Sequence, residues 1–320
     1  MNEHILHFFN LSNPLRILPL TGGGNNRVFK VEFESQSPVV VKQYFSHPQD
    51  PRPRLLSEFS FLQHAKKSGI RNIPEPIAFS SELNAAVYSF IPGRAIQPSD
   101  ISDDLIHAMI DFFLTLNKSG GTGINLPFAS EACLSISDYL AIVDLRLERL
   151  QSCPMEPPLA SFLNDSLLPK WIQYKTALSQ VQFNNTQNFC ISPSDFGFHN
   201  ALINSSNEIT FIDFEYAGID DPCKTVCDLF CQPKIPLPEH YFPLIAKAFS
   251  SVTSDPESCL QRIHYLYPVI QMKWCCILLN VFTKIGKERR TFSHSDEIAH
   301  SQLMKAKQLF SKIQDPSWPT

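Results

Sequence analysis

The stretch Ile191-Ser192-Pro193-Ser194-Asp195-Phe196-Gly197-Phe198-His199-Asn200 decides the reading of this chain, together with the apolar runs that follow it, Ala201 to Ile203 and Ile209-Thr210-Phe211-Ile212-Asp213. The first ten residues show no period and are broken by proline and glycine, so they read as an irregular loop, while the two runs read as short strands. The loop carries a carboxylate, Asp195, and an amide, Asn200, five residues apart, and Asp213 follows 13 residues later at a strand end. A carboxylate at a strand end beside an amide from a neighbouring loop is a donor set suited to magnesium. Asp195 is then placed to face a reacting hydroxyl. Any one of these residues is more often a turn or helix cap. The three in this order call for a common explanation.

Toward the N-terminus the pattern is extended. Leu15 to Leu20 is a β-capable run that ends in Thr21-Gly22-Gly23-Gly24-Asn25-Asn26, a breaker cluster. Arg27 to Phe33 alternates with period two, Ser35 to Pro38 turns the chain, and Val39 to Phe45 reads as an antiparallel partner strand. Glycines between two strands disfavour a dinucleotide or Walker loop, which needs a helix directly after them. They suit a hairpin lid whose bare backbone approaches phosphates, or equally a plain hairpin turn. Lys42 lies in the second strand, 18 residues after Gly24. Glu58 lies 16 residues further on, in a helix read from Leu55, Phe59, Leu62 and Ala65 and stopped by Gly69. A buried lysine in a small sheet wants a carboxylate that a packed helix can supply; two unrelated surface charges are the alternative. Ile77 to Phe79 and Ala85 to Phe90 are further strand candidates, and Ile91-Pro92-Gly93 breaks the chain.

Beyond Gly93 helical patterns dominate: Ile101 to Leu116, Ile136 to Leu150, Leu159 to Gln180, and most of the chain from Pro222 to Ile313. The expected class is α+β, with a small antiparallel sheet plus one helix over residues 1–92 and a larger, mainly helical lobe over 93–320. Leu266 to Phe282 is the most apolar segment, but Gln271, Lys273 and Asn280 interrupt it, and it reads as a core helix.

These motifs resemble those of the aminoglycoside phosphotransferase and choline kinase superfamily, small-molecule kinases with a two-lobed protein-kinase-like fold. The nucleotide loop of that family is similar to Gly22 through Phe29, its strand lysine to Val41-Lys42, and its hinge to Tyr88-Ser89-Phe90-Ile91-Pro92-Gly93. The family's H-G-D-x-x-x-x-N loop resembles Pro193 through Asn200, with Pro193-Ser194 in place of His-Gly. Its metal segment resembles Ile212-Asp213-Phe214-Glu215-Tyr216-Ala217-Gly218, and its D-P and D-L elements resemble Asp221-Pro222 and Asp228-Leu229. The resemblance implies transfer of the γ-phosphate of ATP, with GTP an alternative donor, to a hydroxyl of an aminoglycoside, amino alcohol or sugar. Asp195 is then the catalytic aspartate. Gly22, Gly23, Gly24, Asn25, Asn26, Lys42, Glu58, Phe90 and Ile91 form the nucleotide site, Asn200 and Asp213 hold Mg2+, and Asp228 anchors the catalytic loop. The altered Pro193-Ser194 motivates an alternative, a pseudokinase that binds nucleotide without turnover. A protein kinase proper is disfavoured because the catalytic loop lacks H-R-D, Glu215 stands where a glycine would follow Asp213-Phe214, and no D-F-G and A-P-E enclose an activation segment.

The bulk numbers fit. The chain has 320 residues, 43% hydrophobic and 18% charged, which is a globular balance, and its net charge of -4 offers no basic field for nucleic acid. The expected partner is a small molecule, with neither nucleic acid nor membrane. Nine cysteines without paired CxxC motifs, and no apolar run in Met1 to Asn10, read as free thiols in a reducing cytosol. Cys223, Cys227 and Cys231 share a helix face and read as packing residues rather than metal ligands. Glu131, Asp138, Asp144 and Glu148 are candidates to line an acidic acceptor pocket, or else solvated helix faces. Trp274 and Tyr267 are candidates to stack on a sugar or cation, with core filling as the more frequent role.

Overall fold

The computed structural model describes residues 3–20, 26–48, 50–118, 125–181, 189–293 and 299–315. Its N-terminal part opens with a short helix, α1 (Glu3–Phe8), followed by β1 (Arg16–Leu20), β2 (Arg27–Glu32), β3 (Val39–Gln43), α2 (Arg54–Lys67), β4 (Pro76–Ser80) and β5 (Ala85–Ser89). The five strands form one antiparallel sheet in the order β1-β2-β3-β5-β4. Period two sorts its side chains onto two faces. Val31, Val41 and Val87 bury themselves against Ile5 of α1, and Val40, Tyr44, Ala86 and Tyr88 join the main core under α2. Because Val41 faces α1, Lys42 must face α2.

The predicted apolar stripe of α2 is buried as expected, and Phe61 joins it. The helix ends where Gly69 takes φ +94, with Gly69 N–H donating to Lys66 O at 3.1 Å and Ile70 N–H to Ala65 O at 3.0 Å. This pair of bonds satisfies the last carbonyls of the helix and needs a left-handed residue at its end, the role read for Gly69.

After β5 the chain passes to β6 (Arg94–Ala95), which pairs with β8 (Ala201–Ile203) rather than with the first sheet; β8 in turn pairs with β9 (Ile209–Phe211). A second small ladder joins β7 (Cys190–Ser192) to β10 (Gly218–Asp220). Around these lie α3 (Asp103–Leu116), α4 (Ile136–Gln151), α5 (Pro157–Phe162), α6 (Leu168–Leu178), α7 (Pro222–Cys231), α8 (Phe242–Ser250), α9 (Pro256–Leu279), α10 (Lys284–Ser293) and α11 (Ala299–Phe310). Helix α9 packs against α4, α7, α8 and α11. The Pro256–Phe282 helical stretch is long and apolar enough to cross a membrane by length and composition, and 67% of its most apolar window is buried within the fold. All nine cysteines are free thiols, and Cys223, Cys227 and Cys231 pack in the core.

Three departures from the sequence reading have local causes. The helix expected over Leu159 to Gln180 divides into α5, a π-helical turn over Leu163–Leu167, and α6. Pro169 has no N–H for the regular bond back to Asp165, and the widened turn accommodates that gap. Helix α1 and the two- and three-residue strands β6 and β10 are too short to carry a periodic signal.

Candidate active site

The short strands deliver the loop that decided the sequence reading. β7 ends at Ser192 and β8 begins at Ala201, so residues 193–200 connect two anchored strands. Asn117, the residue that caps the end of α3, holds β7 at both of its amide atoms, accepting from Ile191 N at 2.7 Å and donating to Ile191 O at 3.1 Å. Ser192 Oγ lies 2.8 Å from Thr225 Oγ1 of α7 and accepts from Ser194 N at 3.0 Å. Ser194 takes φ +64. It occupies the place where the resembling motif carries glycine, so the departure at Pro193-Ser194 preserves the backbone turn at the cost of a left-handed serine.

Asp195 lies beyond that turn, its side chain 34% exposed at the cavity wall. Its Oδ1 lies 3.1 Å from His199 Nε2; Asn200 Nδ2 donates to Asp195 O at 2.9 Å and approaches Oδ2 at 3.3 Å. Burial opposes ionisation of this carboxyl, but His199, Lys234 and Asn200 outweigh it and bring its pKa to about 2. Asn200 thus spends its NH2 group on Asp195 and keeps Oδ1, its acceptor atom, for another partner.

Asp213 follows β9 with φ +65, which turns its carboxylate back toward the sheet of the N-terminal part. Phe214 fixes the turn by stacking on Phe61, with ring centres 4.6 Å apart. Lys42 Nζ bridges Asp213 Oδ1 at 2.5 Å and Glu58 Oε2 at 2.6 Å. Glu58 also accepts from Tyr44 OH at 2.7 Å and from Phe214 N at 3.3 Å, so it braces both the lysine and the aspartate segment. Burial alone would favour a neutral Lys42, but Asp213, Glu58 and Glu215 outweigh it and hold the ammonium charged. Burial raises the carboxyl of Glu58 against the pull of Lys42.

Of the residues expected to hold a nucleotide, Gly22, Gly23, Gly24 and Asn25 lie outside the described residues. Asn26 is described and buried, and its amide is held at both atoms: Nδ2 donates to Glu215 Oε2 at 2.6 Å and Oδ1 accepts from Phe45 N at 3.1 Å. Phe90 and Ile91 sit on the segment between β5 and β6, with Lys30 Nζ 4.1 Å above the Phe90 ring. Asn200 and Asp213 both line the cavity beside Asp195. No group of three or more His, Cys, Asp or Glu side chains stands ready for a metal among the described residues. One carboxylate and one amide fit Mg2+, which keeps waters and takes further oxygens from phosphates.

Asp228 has a different role from the one expected. Its carboxylate accepts from Lys273 and, at 2.7 Å, from Trp274 Nε1, and stands 3.5 Å from Lys224. It joins α7 to α9, while Asn117, Ser192 and Thr225 hold the 193–200 loop. Asp220 accepts from Lys224 at 2.7 Å and from Cys133 N at 2.9 Å, and Asp221 caps α7.

Of the two readings of the four acidic residues, the described cavity does not bear out the acidic acceptor wall. Of Glu131, Asp138, Asp144 and Glu148, only Glu131 lines it, and Arg146 donates to both of its oxygens, at 2.6 and 2.5 Å. Asp138 caps α4, and Asp144 binds Trp171 at 2.7 Å and Lys175 at 2.8 Å. Trp274 borders the cavity and Tyr267 packs against Phe242.

Two features were missed in the sequence. One is His199 on Asp195, four residues away, for which the spacing was visible but the folding of Phe198–Asn200 into a 3-10 turn was not. The other is the buried Asp50–Arg54–Glu215–Asn26 network, with Arg54 Nη2 to Asp50 Oδ2 at 2.6 Å. No local pattern announces it.

The fold and the cleft define a two-lobed, protein-kinase-like protein. The model of the phosphotransferase enzyme family (APH) matches residues 16–230, and the chain belongs to that family. Similar solved structures include choline kinase LicA from Streptococcus pneumoniae (12% identity, TM-score 0.63, covering 97% of this chain and 98% of that one). Another is amicoumacin kinase hAmiN in complex with AMP-PNP, Ca2+ and Ami (14%, 0.62, 99% and 96%). A third is ADP-bound aminoglycoside phosphotransferase APH(2'')-Ib (14%, 0.59, 98% and 97%). No curated protein sequence matches.

Proposed function

We propose that this chain transfers the γ-phosphate of ATP, with GTP as an alternative donor, to a hydroxyl of a small molecule. The observation that carries this reading is the convergence of Asp213, Asn200 and Asp195 on one cleft, from the turn after β9 and the two ends of one loop, with Lys42 of β3 bonded to Asp213. Family membership and a neighbour solved with AMP-PNP and Ca2+ support it. The glycine segment and the backbone around Phe90 and Ile91 would hold the nucleotide. Lys42, released from Asp213 but still oriented by Glu58, would bind phosphate oxygens.

Asp213 and Asn200 Oδ1 would hold Mg2+, whose charge would offset that developing on the transferred phosphoryl group. Asp195 is ionised throughout the physiological range and is a weak base. Its task is to accept the hydroxyl's hydrogen bond, aim its oxygen at phosphorus, and receive the proton late, as a loose transition state permits. His199 engages Oδ1 at 3.1 Å and Asn200 approaches Oδ2 at the longer 3.3 Å, so Oδ2 is the less tightly held oxygen. The pseudokinase alternative rested on Pro193-Ser194; Ser194 keeps the required turn and all four reacting side chains are in place, so nothing favours it.

The test is Asp195→Asn. Turnover should fall roughly 10²–10⁴-fold, the usual worth of a positioned acid–base group, with affinity for ATP and Mg2+ within about twofold of wild type. Undiminished turnover would remove Asp195 from the mechanism.

A further inference from the structure

The cavity beside Asp195, about 290 Å³ in volume, is lined by eight cationic side chains and four carboxylates among the described residues. The carboxylates are already committed. Asp195 and Asp213 belong to the transfer site, Glu131 is answered by Arg146, and Asp228 by Lys273, Lys224 and Trp274. The cations converge from separate elements: Arg146 from α4, Lys273 from α9, Arg289 and Arg290 from α10, Lys305 from α11, and Lys234 from the loop after α7.

From these observations we infer that the acceptor is a hydroxylated anion, a single sugar-sized ring bearing a phosphate or carboxylate, and not a cationic amino alcohol or aminoglycoside. The inference rests on the phosphotransferase reading and names the substrate class of the same site.

Several details point the same way. Arg146 is 8% exposed, and among the described residues its Nε has no hydrogen-bond partner although its Nη2 serves Glu131. Lys234 and Lys305 are exposed, and their ammonium groups make no hydrogen bond or ion pair with a described residue. Burial lowers the pKa of Arg289, and Arg52 and Arg54 lower it further against the pull of Tyr216 and Asp50, so this is a place where one more positive charge is unwelcome. Glu131 stays ionised with a pKa of about 2 despite burial, because Arg146, Lys273 and Arg52 surround it. A cationic acceptor would meet like charge in a poorly screened cleft, whereas an anion would relieve it. The half-buried Trp274 offers a flat face for a ring, and the cavity lies at the small end of ligand sites. In the reaction the acceptor oxygen bonds to the γ-phosphorus and the bond to the β-bridging oxygen breaks. The hydroxyl proton passes to Asp195, and nucleoside diphosphate leaves.

Calorimetric titrations of the full chain with glucose 6-phosphate, glucuronate, choline and kanamycin, each with and without AMP-PNP and Mg2+, test this. At least one of the two anions should bind ten times more tightly than choline and kanamycin, in the presence of AMP-PNP. Its binding should weaken with added salt and drop about tenfold in Lys234→Gln/Lys305→Gln, whose exposed side chains can change without harm to the core. A second variant, Arg289→Gln, should weaken the same ligand. Tighter binding of choline or kanamycin would overturn the inference while leaving the kinase reading intact, as would failure of both anions to bind a protein that takes up AMP-PNP. Displacement of AMP-PNP by the anion would also overturn it, since the cations would then be phosphate holders of the nucleotide site. Anion binding by a protein that ignores AMP-PNP and Mg2+ would support the basic acceptor cavity and reject the phosphotransferase reading.

Discussion

Ser194 shows what one side chain costs at a functional turn. Its φ of +64 falls in a region that L-residues with a Cβ populate at a penalty of about 1 kcal/mol. Ser194→Gly should remove that penalty and raise the melting temperature by about 2 °C, a gain offset in part by the greater freedom of glycine in the unfolded chain. A lowered melting temperature would mean that the serine side chain, not the turn, holds the loop. His199 belongs to the same scale. Asp195 is held near pKa 2 in the folded protein against an ordinary value of 3.8, so its ionised form favours folding above the ordinary value, and that contribution is lost as pH falls through about 2. His199→Ala should raise the Asp195 pKa toward its ordinary value and move the acid limb of kcat/KM upward in pH. An unmoved limb would detach His199 from the aspartate. The Asp195–Asn200 spacing was legible because it is local; the histidine contact needed the 3-10 turn to be known first.

At the scale of elements, β3 and α2 were readable because alternation and helical periodicity are written into adjacent residues. Val41 turned to one face puts Lys42 on the other, and the helix packed there brings Glu58 to it at 2.6 Å. Helix α10 was legible only as a helical pattern, and its placement depends on a close approach. A Cβ on Gly286 would lie 1.9 Å from Asn280 O, so only glycine lets α10 start against that carbonyl. From there α10 reaches the N-terminal part, where Arg27 Nε donates to Phe292 O at 2.9 Å and the rings of Phe45 and Phe292 meet at 5.6 Å. Gly286→Ala should displace the helix, cost about 2 kcal/mol or more in denaturant unfolding, and carry Arg289 and Arg290 away from the cavity. An unchanged unfolding midpoint would show that the backbone yields easily there.

Over the whole molecule, composition is silent on local charge. A net charge of -4 excludes a basic surface on average, yet the cavity concentrates cations from α4, α7's following loop, α9, α10 and α11. No window of sequence contains Arg146, Lys273 and Arg289 together, so the sign of that field exists only in three dimensions. The α+β plan, by contrast, was legible from the switch of period near Gly93, and the candidate site residues were singled out from motifs that each lie within one loop or strand. The central claim is that Lys42, Asp213 and Asn200 form a site for a nucleotide with its metal. It is tested most directly by thermal unfolding of wild type and Asp213→Ala, each with ATP, with and without Mg2+. A ligand held at 100 times its Kd stabilises by about 2.7 kcal/mol. The account predicts a rise in wild type that requires Mg2+ and is largely lost in Asp213→Ala. A wild type indifferent to ATP and Mg2+, or a variant that responds as fully as wild type, would contradict it.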